Sequence, residues 1–194
     1  MTGMDIILAS GSPRRRELLT QIGLSFRVVV SDADEDVDKA LPPEKQVALI
    51  SQRKAEAVAR LCPDALVIAA DTIVALDGSV MGKPHSETEA IQMLSRLSGR
   101  THEVYTGFTL RKGDETLTQA ERTPVAFRPL SPQEIAAYVA SGEPMDKAGA
   151  YGIQGLGALL VQGIQGDYFN VMGLPLCKLG QALEHFGVQP LIKG

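Results

Sequence analysis

The sequence predicts an α/β fold, organised as one domain with two lobes over residues 1–194, and three observations carry that expectation. The chain opens strand, turn, helix within its first 23 residues, and a wholly apolar run at 65–70 ends abruptly at Asp71. Residues 102–128 then change character, placing Val104, Tyr105, Phe108, Val125 and Phe127 in two extended segments around a polar turn. With 194 residues and 44% apolar side chains, the chain can build one sizeable core or two small lobes flanking a cleft.

Taken in order, residues 6–9 are a short apolar run ending in Ser10-Gly11, the pattern of a buried strand entering a tight turn. Ser12 is placed to cap a helix with Pro13 at its first position, Leu18, Leu19 and Ile22 on one face, and Gly23 as its stop. A second strand is expected at 26–30, then the acidic loop 31–39, then a helix at 44–61. The strand at 65–70 is expected to deliver Asp71 at its carboxyl end, with a separate short run at 73–76 turning at Asp77-Gly78. After the Gly82-Lys83-Pro84 loop comes a helix at 87–97 stopped by Gly99, and then the hairpin about Lys112-Gly113-Asp114. Ser131 and Glu134 form a capping box for a helix that Gly142 closes. Residues 142–157 carry too much glycine for a stable helix; a strand near 159–162 and a last helix at 175–186 complete the order. There is no internal repeat, low-complexity tract or clear linker.

A formal net charge of -4 argues against duplex DNA and acidic membrane as partners, since both require a broad basic face. Any anion site must therefore be a local concentration of Lys and Arg. Cys62 and Cys177 fall at expected helix ends and match neither a disulfide framework nor a zinc site, which fits a reducing cytoplasm. The N-terminal residues lack the basic-then-apolar pattern of an export signal, and no apolar run approaches the ~20 residues of a membrane span.

The densest chemical signal is Ser10-Gly11-Ser12-Pro13-Arg14-Arg15-Arg16. Three cations crowd a helix N-terminus that is already partly positive, which is unfavourable unless an anion such as a triphosphate binds there. The competing reading is a solvated basic face paired with acids such as Glu17, and Arg16 suits that role best. Lys54 falls within the apolar stripe of Val47, Ile50, Ala57, Val58 and Leu61, so it must either snorkel outward or meet a negative charge. Asp71 can serve as a base toward water or as a ligand for a divalent ion, or else as a turn-forming cap beside Thr72. Glu35, within an otherwise solvated acidic loop, can add a further oxygen ligand. Lys83, between a flexible and a φ-locked residue, suits phosphate, and Gln154 in the glycine-rich segment can pair its amide with a base edge. His85, His102 and His185 share no spacing and are read as structural.

Taken together, ASGSPRRRELL at 9–19, AADTIV at 69–74, MGKP at 81–84 and GEPMDKAGAYGIQGLG at 142–157 closely resemble the Maf family of house-cleaning nucleotide pyrophosphatases. THEVYTG at 101–107 and GLPL at 173–176 also match, in the same order and spacing, so the resemblance runs nearly end to end. It implies a Maf/ITPase-like fold with an elongated central mixed sheet, two lobes and a cleft between them. It further implies hydrolysis of dTTP and UTP, and of modified pyrimidine triphosphates, to monophosphate and pyrophosphate, with a divalent metal (Mg²⁺, Mn²⁺ or Co²⁺) and a homodimer. Carried over residue by residue, the site is Ser10, Arg14, Arg15, Glu35, Lys54, Asp71, Lys83 and Gln154. Asp71 would accept the proton and share the metal with Glu35, Lys54 and Lys83 would assist catalysis, and Arg14, Thr72 and Gln154 would set base preference. Family members are also associated with inhibition of septum formation, so a nucleotide-binding regulator without turnover is the alternative. A nucleic-acid-binding module is disfavoured by the acidic charge, the sparse aromatics and the absence of tryptophan.

Overall fold

A computed structural model describes residues 4–192. Seven strands form one mixed sheet in the order β2-β1-β3-β5-β6-β7, with β4 pairing β3. The strands are β1 (Ile6–Leu8), β2 (Arg27–Val28), β3 (Leu66–Leu76), β4 (Ser79–Met81), β5 (Thr101–Lys112), β6 (Glu115–Phe127) and β7 (Val161–Ile164). The helices are α1 (Pro13–Gln21), α2 (Pro43–Leu61), α3 (Glu87–Leu97), α4 (Pro132–Ala140), α5 (Tyr168–Met172) and α6 (Leu176–His185). The chain forms two compact units, and β3, β5 and β6 each contribute residues to both.

The first unit comprises Met1–Asp71, Thr106–Glu121 and Gly173–Gly194. Here β1 pairs in parallel with β2 and with β3, in a register that sets Leu8 against Ile68. Parallel neighbours need crossovers, and α1 and α2 supply them. Ser12 caps α1 by accepting the Arg15 N–H, Pro13 takes the first position, and Gly23 ends the turn at φ 75°. The apolar side of α2 (Ala55, Val58, Ala59) joins Ile7, Ala9, Ala65, Val67 and Ala69 in a core of small residues. Small side chains allow close approach of helix to sheet. Gly107 on β5 is the extreme case, because a Cβ there would lie 2.5 Å from the Val47 carbonyl carbon and oxygen on α2.

The second unit comprises Thr72–Tyr105 and Arg122–Met172. Its core joins Val74 and Leu76 of β3 to Ala90, Leu94 and Leu97 of α3, Ile135 and Val139 of α4, and Phe127, Ala150 and Tyr151. The predicted capping box is formed in full: Ser131 Oγ accepts the Glu134 N–H, and Glu134 Oε2 accepts the Ser131 N–H. Asp77 at φ 51° and Gly78 at φ 76° make the two-residue turn between β3 and β4.

Four expectations are corrected. The runs at 65–70 and 73–76 are one strand of 11 residues, so Asp71 lies inside β3 and not at its end. Asp71 and Thr72 look like turn residues, but β-branched Thr72, Ile73 and Val74 keep the backbone extended. β1, however, stops pairing at Leu8/Ile68, so Asp71 still lies beyond the carboxyl end of its parallel neighbour. The strand expected at 26–30 shrinks to Arg27–Val28, both exposed at the sheet edge. That near 159–162 moves to Val161–Ile164, because Leu159 closes a preceding 3-10 turn, Gly155–Leu159. Sequence reasoning omitted α5, a five-residue helix capped by Asp167 Oδ1, which accepts the N–H groups of Phe169 and Asn170. Five residues are too few for a helical period to register.

Candidate functional site

In the first unit the turn after β1 is built around Arg15. Ser10 Oγ accepts the Ser12 N–H at 3.2 Å and Arg15 Nη1 at 3.1 Å, while Arg15 Nε donates to the Gly173 carbonyl at 2.8 Å. Arg15 is therefore buried at 8% exposure, Arg14 is half-buried and Arg16 is exposed. The three arginines divide by depth, with Arg16 at the surface as the sequence suggests. Burial pulls the Arg15 guanidinium below its ordinary pKa, and the nearby carboxylate of Asp71 opposes that pull. A guanidinium held charged in this setting suits a multiply charged anion.

Lys54 meets negative charge. Its Nζ lies 3.0 Å from Asp71 Oδ1 and 3.0 Å from Glu35 Oε1, with the lysine side chain 12% exposed and Asp71 13%. Of the stripe expected from the sequence, Val47, Ile50 and Val58 are buried, whereas Ala57 is half-buried and Leu61 is 72% exposed. Two features absent from the sequence reading fix the geometry. Ser51, one turn before Lys54, shares a 2.8 Å hydrogen bond with Thr109, which shares one of 2.9 Å with Thr118. Arg53 Nη1 donates to the Asp36 carbonyl at 2.5 Å and to that of Asp34 at 3.5 Å, tying the acidic loop that carries Glu35 to α2. Neither leaves a local signature, since the Ser51–Thr109 partners are 58 positions apart and the Arg53 acceptors are backbone carbonyls.

Glu35 and Asp71 thus converge on one ammonium group. Among the described residues no group of three or more His, Cys, Asp and Glu gathers as a metal cage. A pair of carboxylates is a donor set that fits a hard ion such as Mg²⁺ or Mn²⁺ completed by substrate oxygens and water, and it does not fit a structural zinc.

In the second unit, Thr72 follows Asp71 on β3 and is half-buried. Lys83 is exposed on the loop after β4, beside buried Pro84. That loop is joined to the glycine-rich segment by a bond from the Gly149 N–H to the Gly82 carbonyl at 3.1 Å. Gly149 is at φ 70°, and a Cβ there would lie 2.9–3.0 Å from the Val74 side chain, so only glycine seats this crossing. Gln154 is half-buried, immediately before the Gly155–Leu159 turn. Of the three histidines, His102 is a packing residue. His102 Nε2 meets Tyr151 Oη at 2.6 Å in an edge-on cluster with Phe127, and burial lowers its pKa to about 4. His85 and His185 are exposed.

Comparisons with known proteins agree in kind. Residues 5–186 match the family model described as Maf-like protein. A dTTP/UTP pyrophosphatase of Moorella thermoacetica is 56% identical over 186 residues, covering 94% of this chain and 95% of the other. A dTTP/UTP pyrophosphatase of Symbiobacterium thermophilum is 53% identical over 190 residues, covering 98% and 97%. One of Bacillus pumilus is 49% identical over 186 residues, covering 96% and 98%. Among solved structures, a HAM1 protein from Coxiella burnetii aligns over 94% of this chain and 100% of its own with a TM-score of 0.50 at 15% identity, a likeness of fold alone.

Proposed function

Because this chain belongs to the Maf-like protein family, we propose that it is a nucleoside triphosphate pyrophosphatase that hydrolyses dTTP and UTP to the monophosphate and pyrophosphate. The observation that supports this most directly is the Lys54–Asp71 contact at 3.0 Å, close enough to buried Arg15 for Asp71 to bear on its charge. A carboxylate and two cations in one neighbourhood are what hydrolysis of a phosphoanhydride requires.

In this reading water attacks the α-phosphorus: its oxygen bonds to phosphorus, its proton passes to Asp71, and the bond to the bridging oxygen breaks as pyrophosphate leaves. Arg14, Arg15, Lys54 and Lys83 offset the charge on the departing group, and Ser10 holds Arg15 in position. Glu35 and Asp71 would hold the divalent ion. When bound, that ion neutralises charge on the phosphate oxygens. Gln154, with Arg14 and Thr72, faces the task of base selection. The same reading carries a homodimer from the family resemblance and a cytoplasmic location from the two unpaired cysteines. It includes no nucleic-acid partner, in keeping with the net charge of -4. No helix among the described residues is long and apolar enough to cross a membrane.

The experiment is incubation of the purified chain with dTTP or UTP and Mg²⁺ or Mn²⁺, followed by separate assays for pyrophosphate and orthophosphate. Stoichiometric pyrophosphate is expected. Orthophosphate alone would place cleavage at the γ position and overturn the mechanism, and tight nucleotide binding with no product would favour the regulatory alternative.

A further inference from the structure

The glycine-rich segment of the second unit is held by a side chain to which the proposed reaction gives no task. The Glu143 carboxylate accepts hydrogen bonds from the backbone N–H of Leu156 (3.0 Å, Oε2) and of Gly157 (3.0 Å, Oε1), and from Tyr138 Oη (2.8 Å, Oε1). Tyr138 Oη in turn accepts the Gly152 N–H at 3.2 Å. The Glu143 carbonyl accepts Lys147 Nζ at 2.8 Å. One carboxylate and one phenol therefore fasten the segment at residues 152, 156 and 157, and Gln154 lies between the fastened points.

The packing leaves no slack around these bonds. A Cβ on Gly157 would sit 1.8 Å from the Gly152 carbonyl oxygen and 2.8 Å from Tyr138 Oη. One on Gly155, which is at φ 67°, would meet Glu143 Oε2 at 2.7 Å. The glycines that looked in the sequence like room for a ligand are in part room for Glu143. Burial alone would raise the Glu143 pKa, but the N–H groups of Gly157 and Leu156, with Tyr138, hold it below the ordinary value. Such a carboxylate stays ionised and keeps accepting.

We infer that Glu143 and Tyr138 are positioning residues for nucleobase selection, fastening the backbone at 152–157 so that the Gln154 amide is presented in one orientation. This rests on the reading that Gln154 contacts the base. An amide that must pair with a base edge gains selectivity only if its backbone is fixed beforehand, since a mobile one reorients to suit whichever base arrives. The chemistry at phosphorus does not pass through Glu143, so its loss acts on binding of the base and not on bond cleavage.

The test is steady-state kinetics of the full chain with UTP and with ATP for wild type, E143A, E143Q, Y138F and Q154A, alongside amide hydrogen exchange at residues 152–157. In E143A the KM for UTP is expected to rise about tenfold with kcat within about twofold, and the preference for UTP over ATP to fall about tenfold. Exchange at Leu156 and Gly157 should quicken. E143Q, whose carbonyl oxygen still accepts, recovers part of the preference, and Y138F moves the same way by about threefold. E143A combined with Q154A should lose little beyond Q154A alone. If E143A does not fold, E143Q and Y138F carry the test. Retained preference in the Glu143 and Tyr138 variants while Q154A loses it overturns the inference, as does a collapse of kcat at unchanged KM. Retained preference in Q154A itself sinks the base-contact reading, and the inference with it, through a different variant; a wild type that hydrolyses neither nucleotide sinks both.

Discussion

The most buried ionisable groups of the two units lie in different surroundings. In the first, Arg15, Lys54 and Asp71 are largely withdrawn from water, and each lies near an opposite charge or a fixed dipole. In the second, His102 and Tyr151 are buried with no countercharge. His102 titrates only near pH 4, and Tyr151 is pushed well above its usual range by burial. Only the first arrangement maintains a field that a substrate can use. The second uses polar rings as core, with His102, Phe127 and Tyr151 stacked edge to face at 4.7–5.2 Å. A cluster of opposite charges withdrawn from water is thus a pointer to chemistry, whereas a neutral ring among other rings is a packing element.

The sharpest way to break that contrast is to remove charge from the first unit without changing its shape. Asp71→Asn keeps the volume and an oxygen for Lys54 Nζ, which also retains Glu35 at 3.0 Å. Pyrophosphate release from UTP is expected to fall roughly 10²-fold or more, equivalent to about 2.7 kcal/mol in the barrier, while thermal unfolding stays close to wild type. Turnover within a factor of three of wild type would remove Asp71 from the mechanism. Gly107→Ala attacks the same cluster through its scaffold, since the new Cβ would need the space 2.5 Å from the Val47 carbonyl. The collision is with backbone, so α2 must lift, taking Ser51 and Lys54 with it. A loss of about 1–3 kcal/mol in urea unfolding, with lowered activity, is the expected outcome. An unchanged midpoint would mean that α2 is not seated by this contact.

What could be read in the sequence divides along the same physical line. Local chemistry was legible: the Ser12 cap, the Ser131–Glu134 box, the Asp77-Gly78 turn and the stop at Gly99 each depend on residues a few positions apart. The anomaly of a lysine in the apolar stripe of α2 was legible too, because a charge in a periodic pattern stands out without knowledge of its partner. Non-local restraints were not. Continuity of β3 through Asp71 depends on neighbouring strands, and Gly107 matters only because Val47, 60 positions earlier, lies against it. The purpose of Glu143 was hidden because two of its three partners are backbone N–H groups, which every residue but proline carries.

The second unit offers a pH test of its half of the contrast. His102 has an ordinary pKa of 6.5 and a folded value of about 4, so the unfolded chain binds the extra proton first as pH falls. Stability from neutral His102 is complete above pH 6.5 and is lost progressively down to about pH 4. By pH 5.5 the loss should be about 1.4 kcal/mol in denaturant unfolding, and His102→Gln should flatten that part of the profile. A wild-type profile level between pH 7 and 5 would mean that the imidazole is protonated in place.

The mildest expected effect lies in the arginine triplet, where the contrast can be drawn within one turn of helix. Arg15 is 8% exposed and bonded to Ser10 and to the Gly173 carbonyl, whereas Arg16 is exposed one position later. A helix turns about 100° per residue, so Arg15 and Arg16 point in different directions from α1, and the sequence alone ranks three identical side chains by register only. Arg16→Ala should alter unfolding by less than about 0.5 kcal/mol and turnover by less than about twofold. Its effect on KM for UTP should shrink further as salt rises, since an exposed charge acts through screened solvent. A large loss of activity at high salt would mean that the anion is held at the outer face of α1 and not beside Arg15, and the distinction between charge kept for chemistry and charge kept for solubility would have to be redrawn there.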